Sequence, residues 1–209
     1  MVIFFEGWIL YSFIILYLGL IFLLKFKFNK SYTYLFFFSI MSLYFYHVIN
    51  LTQFPIYIDD VQREAFREVY GEQNNVWREM NFIPFKHGFS LSSFYNIIMT
   101  IPLGFGLPFL INTSFKKVFT IGLLTSLILE TCQLLTALYA GYTFRFVDID
   151  DVILNLLGTL IGYVLIFKPF KFLFKSLVNK FDIKFNSIIK YIYNADESLN
   201  EQKITTKKA

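Results

Sequence analysis

The 209-residue chain carries 19 Lys and Arg against 15 Asp and Glu, a net charge of +4, and is 56% hydrophobic and 21% aromatic with 16% charged residues. Its mean hydropathy of +0.54 is far above what a soluble domain needs, which excludes an ordinary water-soluble enzyme and leaves no room for a soluble catalytic domain beside the apolar runs. The lone cysteine, Cys132, excludes an internal disulfide and leaves a thiol-redox or zinc site without sulfur partners; mid-helix in apolar surroundings, it reads as packing.

Five segments are apolar and long enough to cross a hydrocarbon core, which takes roughly 20 residues of helix. They run from about Val2 to Leu24, Tyr32 to Phe54, Leu91 to Ile111, Val118 to Tyr139 and Val147 to Phe167. The first has no Lys or Arg ahead of it, contains Glu6, and is followed by Lys25, Lys27 and Lys30 without a small-residue cleavage site, so it reads as a retained span rather than a cleaved signal peptide. The expected fold is an all-α polytopic membrane helix bundle of about five transmembrane helices, with a C-terminal amphipathic interfacial helix. Its divisions are residues 1–58 for two N-terminal spans, 59–90 for an acidic outer loop, 91–168 for a three-span core, 169–194 for the interfacial helix and 195–209 for a disordered tail.

Lys and Arg alternate in number between successive connections. Lys25 to Lys30 contribute three, Lys116 and Lys117 two, and the tail from Lys168 nine, fourteen on one side against five on the other from Arg63, Arg67, Arg78, Lys86 and Arg145. The excess marks the cytoplasmic side, which puts the N-terminus outside and the C-terminus in the cytoplasm.

In the outer connection, Asp59 and Asp60 can cap a short helix with Val61, Ala65, Phe66 and Val69 on one face, ended by Gly71 to Asn75. Its bland reading is a solvated acidic helix across the bundle mouth. Asn81-Phe82-Ile83-Pro84-Phe85 then returns to the membrane, where Pro84 disfavours helix and points to an interfacial or partly re-entrant segment. The third span carries Asn96, Pro102, Gly104, Gly106 and Pro108, a composition that predicts a kink.

In the fourth span Glu130 and Gln133 share a helix face, and in the fifth Asp148, Asp151, Asn155, Gly158 and Gly162 follow steps of three and four. The glycines allow close helix approach, as small-xxx-small stripes do in membranes. The two spans are joined by only Ala140 to Phe146, which makes them antiparallel neighbours and sets Glu130 and Gln133 opposite Asn155 and Asp151 with Arg145 as counter-ion. One reading is that these groups only fix helix register. Against it, one Glu, one Gln, three Asp, one Asn and one Arg within 26 positions exceed what register needs. Asp150 alone reads as a solvated or capping residue. His47 and His87 show no metal-ligand spacing, so no metal or other cofactor is expected.

These motifs resemble the VanZ-like family of small bacterial membrane proteins. The resemblance rests on Asn81-Phe82-Ile83-Pro84-Phe85, on Asn96 with Ile101-Pro102-Leu103-Gly104-Phe105, on Glu130-x-x-Gln133, and on Arg145-x-x-Asp148-x-x-Asp151-x-x-x-Asn155-x-x-Gly158-x-x-x-Gly162-Tyr163, covering about Asn81 to Phe167. Thr100 departs from it, standing where an aromatic is usual. The resemblance implies a cell-envelope setting and a link to resistance to the glycopeptide teicoplanin, without an agreed biochemical activity.

From Phe170 to Ile192 apolar residues step by three and four while Lys171, Lys175, Lys180, Lys184 and Lys190 take other faces, an amphipathic basic helix suited to an anionic leaflet. Its alternative is a helix packed on a partner protein. Three function classes follow. The first is a binding protein whose outward-facing polar cluster takes an amphiphile, a lipoglycopeptide or a lipid-linked cell-wall precursor. The second is a membrane enzyme with Glu130, Asp148 and Asp151 as catalytic candidates acting on a lipid-linked head group. The third is a proton-coupled transporter or flippase, disfavoured because no inverted repeat is visible. Membrane lipids are the expected partners and nucleic acid is not; Asn81, Asn96, Glu130, Gln133, Arg145, Asp148, Asp151 and Asn155 form the candidate cluster.

Overall fold

The computed structural model describes residues 2–57, 60–70, 76–140 and 146–196. Among them the chain is an all-α membrane helix bundle. Helix α1 (Trp8–Phe22) continues through a π turn at Leu23–Lys27, followed by α2 (Tyr32–Gln53), α3 (Asp60–Tyr70), α4 (Leu91–Gly106) with a 3-10 turn at Leu107–Phe109, α5 (Phe115–Ala140), α6 (Ile149–Ile161), a π turn at Gly162–Phe167, α7 (Lys168–Lys180) and α8 (Ser187–Tyr193). A two-stranded antiparallel ribbon, β1 (Val2–Ile3) with β2 (Ile56–Tyr57), ties the N-terminus to the far end of α2.

Among the described residues four stretches are long and apolar enough to cross a membrane: Trp8–Lys27, Tyr32–Gln53, Phe115–Ala140 and Ile149–Lys180. The expected third span differs. Its α-helix stops at Gly106 and Pro108 sits in the 3-10 turn, so its 16 residues rise roughly 24 Å at 1.5 Å each, short of the ~30 Å hydrocarbon core. Ser90 starts it with a capping box, its Oγ accepting from Ser93 N at 3.2 Å while Ser90 N donates to Ser93 Oγ at 3.1 Å.

This short helix is the centre of the bundle because it meets α6 without intervening side chains. A Cβ at Gly158 would lie 2.1 Å from the Ile97 carbonyl oxygen, one at Gly162 2.0 Å from that of Ile101, and one at Gly104 1.8 Å from that of Thr159. Backbone therefore rests on backbone along three successive contacts, and only glycine fits. Thr100, buried against this seam, returns its hydroxyl to Asn96 O at 3.0 Å. Its small side chain suits the site, for Gly158 leaves no room for an aromatic. On the other side of α4, the Tyr44 hydroxyl of α2 donates to Met99 O at 3.1 Å, in the turn that Pro102 leaves one hydrogen bond short.

Helix α1 buries none of its residues; it meets α2 through the Tyr17–Ser39 hydroxyl pair at 2.7 Å and through Phe13 against Tyr46. Cys132, read as a packing residue, is exposed on α5. The α3 helix forms, yet Val61, Ala65 and Val69 remain exposed, while Asp59 and residues 71–75 lie outside the described residues.

The C-terminal segment departs most from expectation. In place of one interfacial helix over 169–194, α7 extends α6 to Lys180, the chain reverses through Asp182 at φ 46°, and Asn186 caps the separate α8 by accepting from Ile189 N at 2.8 Å. Helix α8 packs back under the bundle: Tyr191 stacks on Phe37, which stacks on Phe109, and its hydroxyl donates to Phe109 O. Beyond it Ala195 is buried, and the Asp196 carboxylate accepts from Thr113 N at 3.1 Å and from the Tyr163 hydroxyl at 3.1 Å. These two residues of the expected disordered tail are packed; residues 197–209 lie outside the described residues.

Gly158→Ala or Gly162→Ala is expected to destabilise the purified chain by about 1–3 kcal/mol or more, as overpacking does. Gly19→Ala, inside α1 and with a Cβ that would meet nothing within 4 Å, should not lower the unfolding temperature, since Ala is the better helix former. Equal unfolding curves for all three variants would contradict the glycine crossing.

Candidate functional site

The polar groups gather where α6 begins. Asp148, in extended conformation, is the N-cap of α6: its Oδ1 accepts from Asp150 N at 2.9 Å, satisfying an amide the helix leaves open. Asn81 pairs with it from the segment before α4 as an isolated parallel bridge, with Asn81 N donating to Val147 O at 3.0 Å and Ile149 N donating to Asn81 O at 3.0 Å. The Asn81 side chain donates to Asp148 Oδ1 at 2.9 Å and to Ile83 O at 3.2 Å, and accepts from Ile83 N at 3.1 Å. One asparagine thereby folds the Asn81–Phe85 segment and fastens it to the α6 cap.

Asp150 is buried rather than solvated, because its Oδ1 accepts from Phe85 N at 2.7 Å. It holds the turn in which Phe85 takes a positive φ of 56°. Asp151, one residue further, accepts from the Asn96 side chain on α4. Each acidic residue at the start of α6 is thus given to a different neighbour.

The α5 residues divide. Glu130 reaches the α6 cap, its Oε2 accepting from Asp148 N at 3.3 Å. Gln133 turns instead to α2 and donates Nε2 to Thr52 O at 3.3 Å. It does not meet Asp151 or Asn155, as helix adjacency alone led us to expect. The reciprocal bond comes from Gln53, whose Nε2 donates to Leu129 O at 3.3 Å. Thr52 and Gln53 were missed by the sequence reasoning, although a Thr-Gln pair closing an apolar span is a visible polar signal. Asn155 is 2% exposed and its Oδ1 has no hydrogen-bond partner among the described residues, a condition that costs about 1–3 kcal/mol for a buried acceptor. Arg145, the expected counter-ion, lies outside the described residues.

These elements border a cavity of about 1060 Å³ between the α2 C-terminal half, the start of α4 and the α6 cap. Its walls include Val48, Leu51, Ile98 and Met99, and its polar lining includes Asn81, Asn96, Gln133, Asp148, Asp150 and Asp151. His47, His87 and Glu79 also face it, while Glu130 stands behind Asp148 and does not line it. Among the described residues no group of three or more His, Cys, Asp or Glu is placed to hold a metal ion. A second cavity, of about 760 Å³, lies at the opposite end, bordered by Lys30, the start of α2, the 3-10 turn after α4 and α8.

Asn81→Ala removes both the side-chain bridge to Asp148 and the turn at Ile83. It is expected to cost about 1–3 kcal/mol and to speed amide hydrogen exchange across 82–88 while the α4 and α6 amides remain protected. Unchanged exchange in that segment would show that Asn81 does not hold it.

No curated protein and no solved structure matches the chain. The sequence model of the VanZ/LLP1 family, by contrast, matches residues 8–175. That match takes in the whole polar cluster and reaches back through α1 and α2, beyond the Asn81–Phe167 region in which the motifs are concentrated. The chain therefore belongs to the VanZ/LLP1 family.

Proposed function

We propose that this protein is a multi-pass constituent of a bacterial cell membrane, N-terminus outside and C-terminus cytoplasmic, that binds an amphiphilic envelope ligand in the cavity at the α6 cap. The observation that carries the reading is the cavity itself: about 1060 Å³, with apolar side chains of α2 and α4 on one part of its wall and a convergent set of amides and carboxylates on another. That division fits a molecule with a hydrocarbon part and a polar head. The lysine-poor end holds this cavity and Lys30 and Lys190 border the other one, which under the positive-inside rule directs the first to the cell exterior. A lipoglycopeptide or a lipid-linked wall precursor has the required chemistry, and binding would alter the access of such molecules to the surface.

A membrane enzyme acting on a lipid-linked head group is the second reading, favoured by Asp151 lining the cavity with Asn96 beside it. It assigns direct chemistry to Asp151 rather than to Glu130, which has no place on the wall and suits the role of a positioning residue for the cap.

Cells expressing the wild-type chain are expected to tolerate more teicoplanin and to bind less of it at the surface than cells without it. Asp151→Asn, at equal membrane abundance, should lose the effect, whereas Glu130→Gln keeps hydrogen-bonding capacity and should retain part of it. No change in tolerance or surface binding at good expression would overturn the lipoglycopeptide reading.

A further inference from the structure

We infer that the cavity opens sideways into the membrane: Phe82, Ile83, Phe85 and Phe89 form a lip set among the acyl chains of the leaflet at the α6 cap, and the occupant enters from that leaflet rather than from water. This rests on the reading of the cavity as a ligand site and names the source of its ligand.

Residues 81–96 divide by chemistry. Asn81, His87, Gly88, Ser90, Ser93 and Asn96 line the cavity. Phe82, Ile83, Phe85, Phe89, Leu91 and Phe94 are not part of its wall, and each is between 48% and 67% exposed. The segment is therefore a partition, with polar groups toward the cavity and large apolar groups on its other side. In water, six such side chains together would be an unexplained apolar patch; at a membrane boundary they are what an interfacial segment presents to lipid.

The partition stands at that boundary. Asn81 O accepts from Ile149 N, the first residue of the apolar stretch Ile149–Lys180, and Leu91 opens α4, which rests backbone on backbone against the same stretch. Non-helical backbone is tolerated at a membrane where it lines a wet cavity, and His87 and Gly88 meet that condition. Lys86, exposed between Phe85 and Phe89, has a long stem that lets its ammonium reach lipid phosphates while its apolar neighbours insert. The lip is also held against local preference. Phe85 has a φ of 56°, a costly conformation for a residue with a Cβ, and the Asp150 carboxylate keeps it there through the Phe85 amide at 2.7 Å. Hydrocarbon around the ring offsets that cost; water does not.

The mouth lies between α2 and α4. The Tyr44 hydroxyl ties the two helices at Met99 O, and from there toward the α6 cap the cavity lies between them. Leu51 of α2 and Tyr95 and Ile98 of α4 both line the cavity and are exposed. Apolar side chains that share a cavity wall and the outer surface of a membrane bundle mark an opening toward lipid. Val48 and Thr52 stand deeper in the same wall, 2% and 8% exposed. A tail can pass between α2 and α4 while its head stays level with the cap.

The test uses the full-length chain in vesicles of phosphatidylcholine and phosphatidylglycerol. With the exposed Cys132 changed to Ser, a nitroxide is attached in turn to Phe82→Cys, Phe89→Cys, Leu51→Cys and Ile98→Cys, all at exposed positions. Its collisions with oxygen, which concentrates in hydrocarbon, are compared with those of a water-soluble nickel chelate. Oxygen accessibility is expected to exceed chelate accessibility severalfold at all four sites. Chelate dominance at Phe82 and Phe89 would overturn the lip, and at Leu51 and Ile98 the lateral mouth. In the same vesicles, a phosphatidylglycerol with a diazirine in one acyl chain, which does not leave the bilayer, is expected on photolysis to label Val48, Thr52 and Met99. Labelling of these three by a dodecyl diazirine amphiphile added from water, but not by the phospholipid, would overturn the leaflet route while leaving the cavity as a ligand site. No label on them from either probe would overturn the ligand-site reading itself.

Discussion

The close contact of α4 with α6 is the constraint on which the remaining geometry depends. Gly104, Gly158 and Gly162 place carbonyl oxygens of one helix where a Cβ on the other would be, so the two backbones touch along most of the short α4. Within a membrane no hydrophobic effect draws helices together, and such direct van der Waals packing is what remains to do so. Because α4 is fixed to α6 in register, Asn96 is delivered to Asp151 and the start of α4 stands beside the α6 cap. The larger cavity lies between α2, the start of α4 and this cap.

Around this contact the polar groups form a set of ties with different endpoints. Glu130 binds α5 to the cap amide, Asp150 binds the turn at Phe85, Asn81 binds its own segment to the cap, and Gln133 with Gln53 couples α5 to α2. Polar side chains inside a bundle are commonly explained by such register ties. Here three of the tied residues, Asp148, Asp150 and Asp151, also line one cavity together with Asn81, Asn96 and Gln133. That shared cavity is the physical basis of the proposal that the cluster serves a ligand as well as the fold.

Much of this was legible from residue spacing. Steps of three and four placed Asp151, Asn155, Gly158 and Gly162 on one helix face, and the short connection after Ala140 made α5 and α6 neighbours. Spacing could not tell which neighbour each group would choose. Gln133 shares a face with Glu130, yet the two diverge because α2 presents the Thr52 carbonyl on one side and α6 presents the Asp148 amide on the other. The C-terminal periodicity ran unbroken from Phe170 to Ile192 and concealed a chain reversal, since the left-handed turn at Asp182 and the aromatic stack of Tyr191 on Phe37 are set by tertiary contacts. Asp150 looked like a solvent-facing cap because its partner, the Phe85 amide, is 65 positions away.

The position of a bound amphiphile is the decisive observable. A dodecyl amphiphile with a diazirine in its tail, photolysed on the full-length chain and mapped by peptide sequencing, should label Tyr44–Thr52 of α2 and Tyr95–Pro102 of α4, saturably and in competition with unlabelled compound. Labelling that does not saturate and is concentrated on α1, Trp8–Phe22, which has no buried residue, would contradict binding in the cavity.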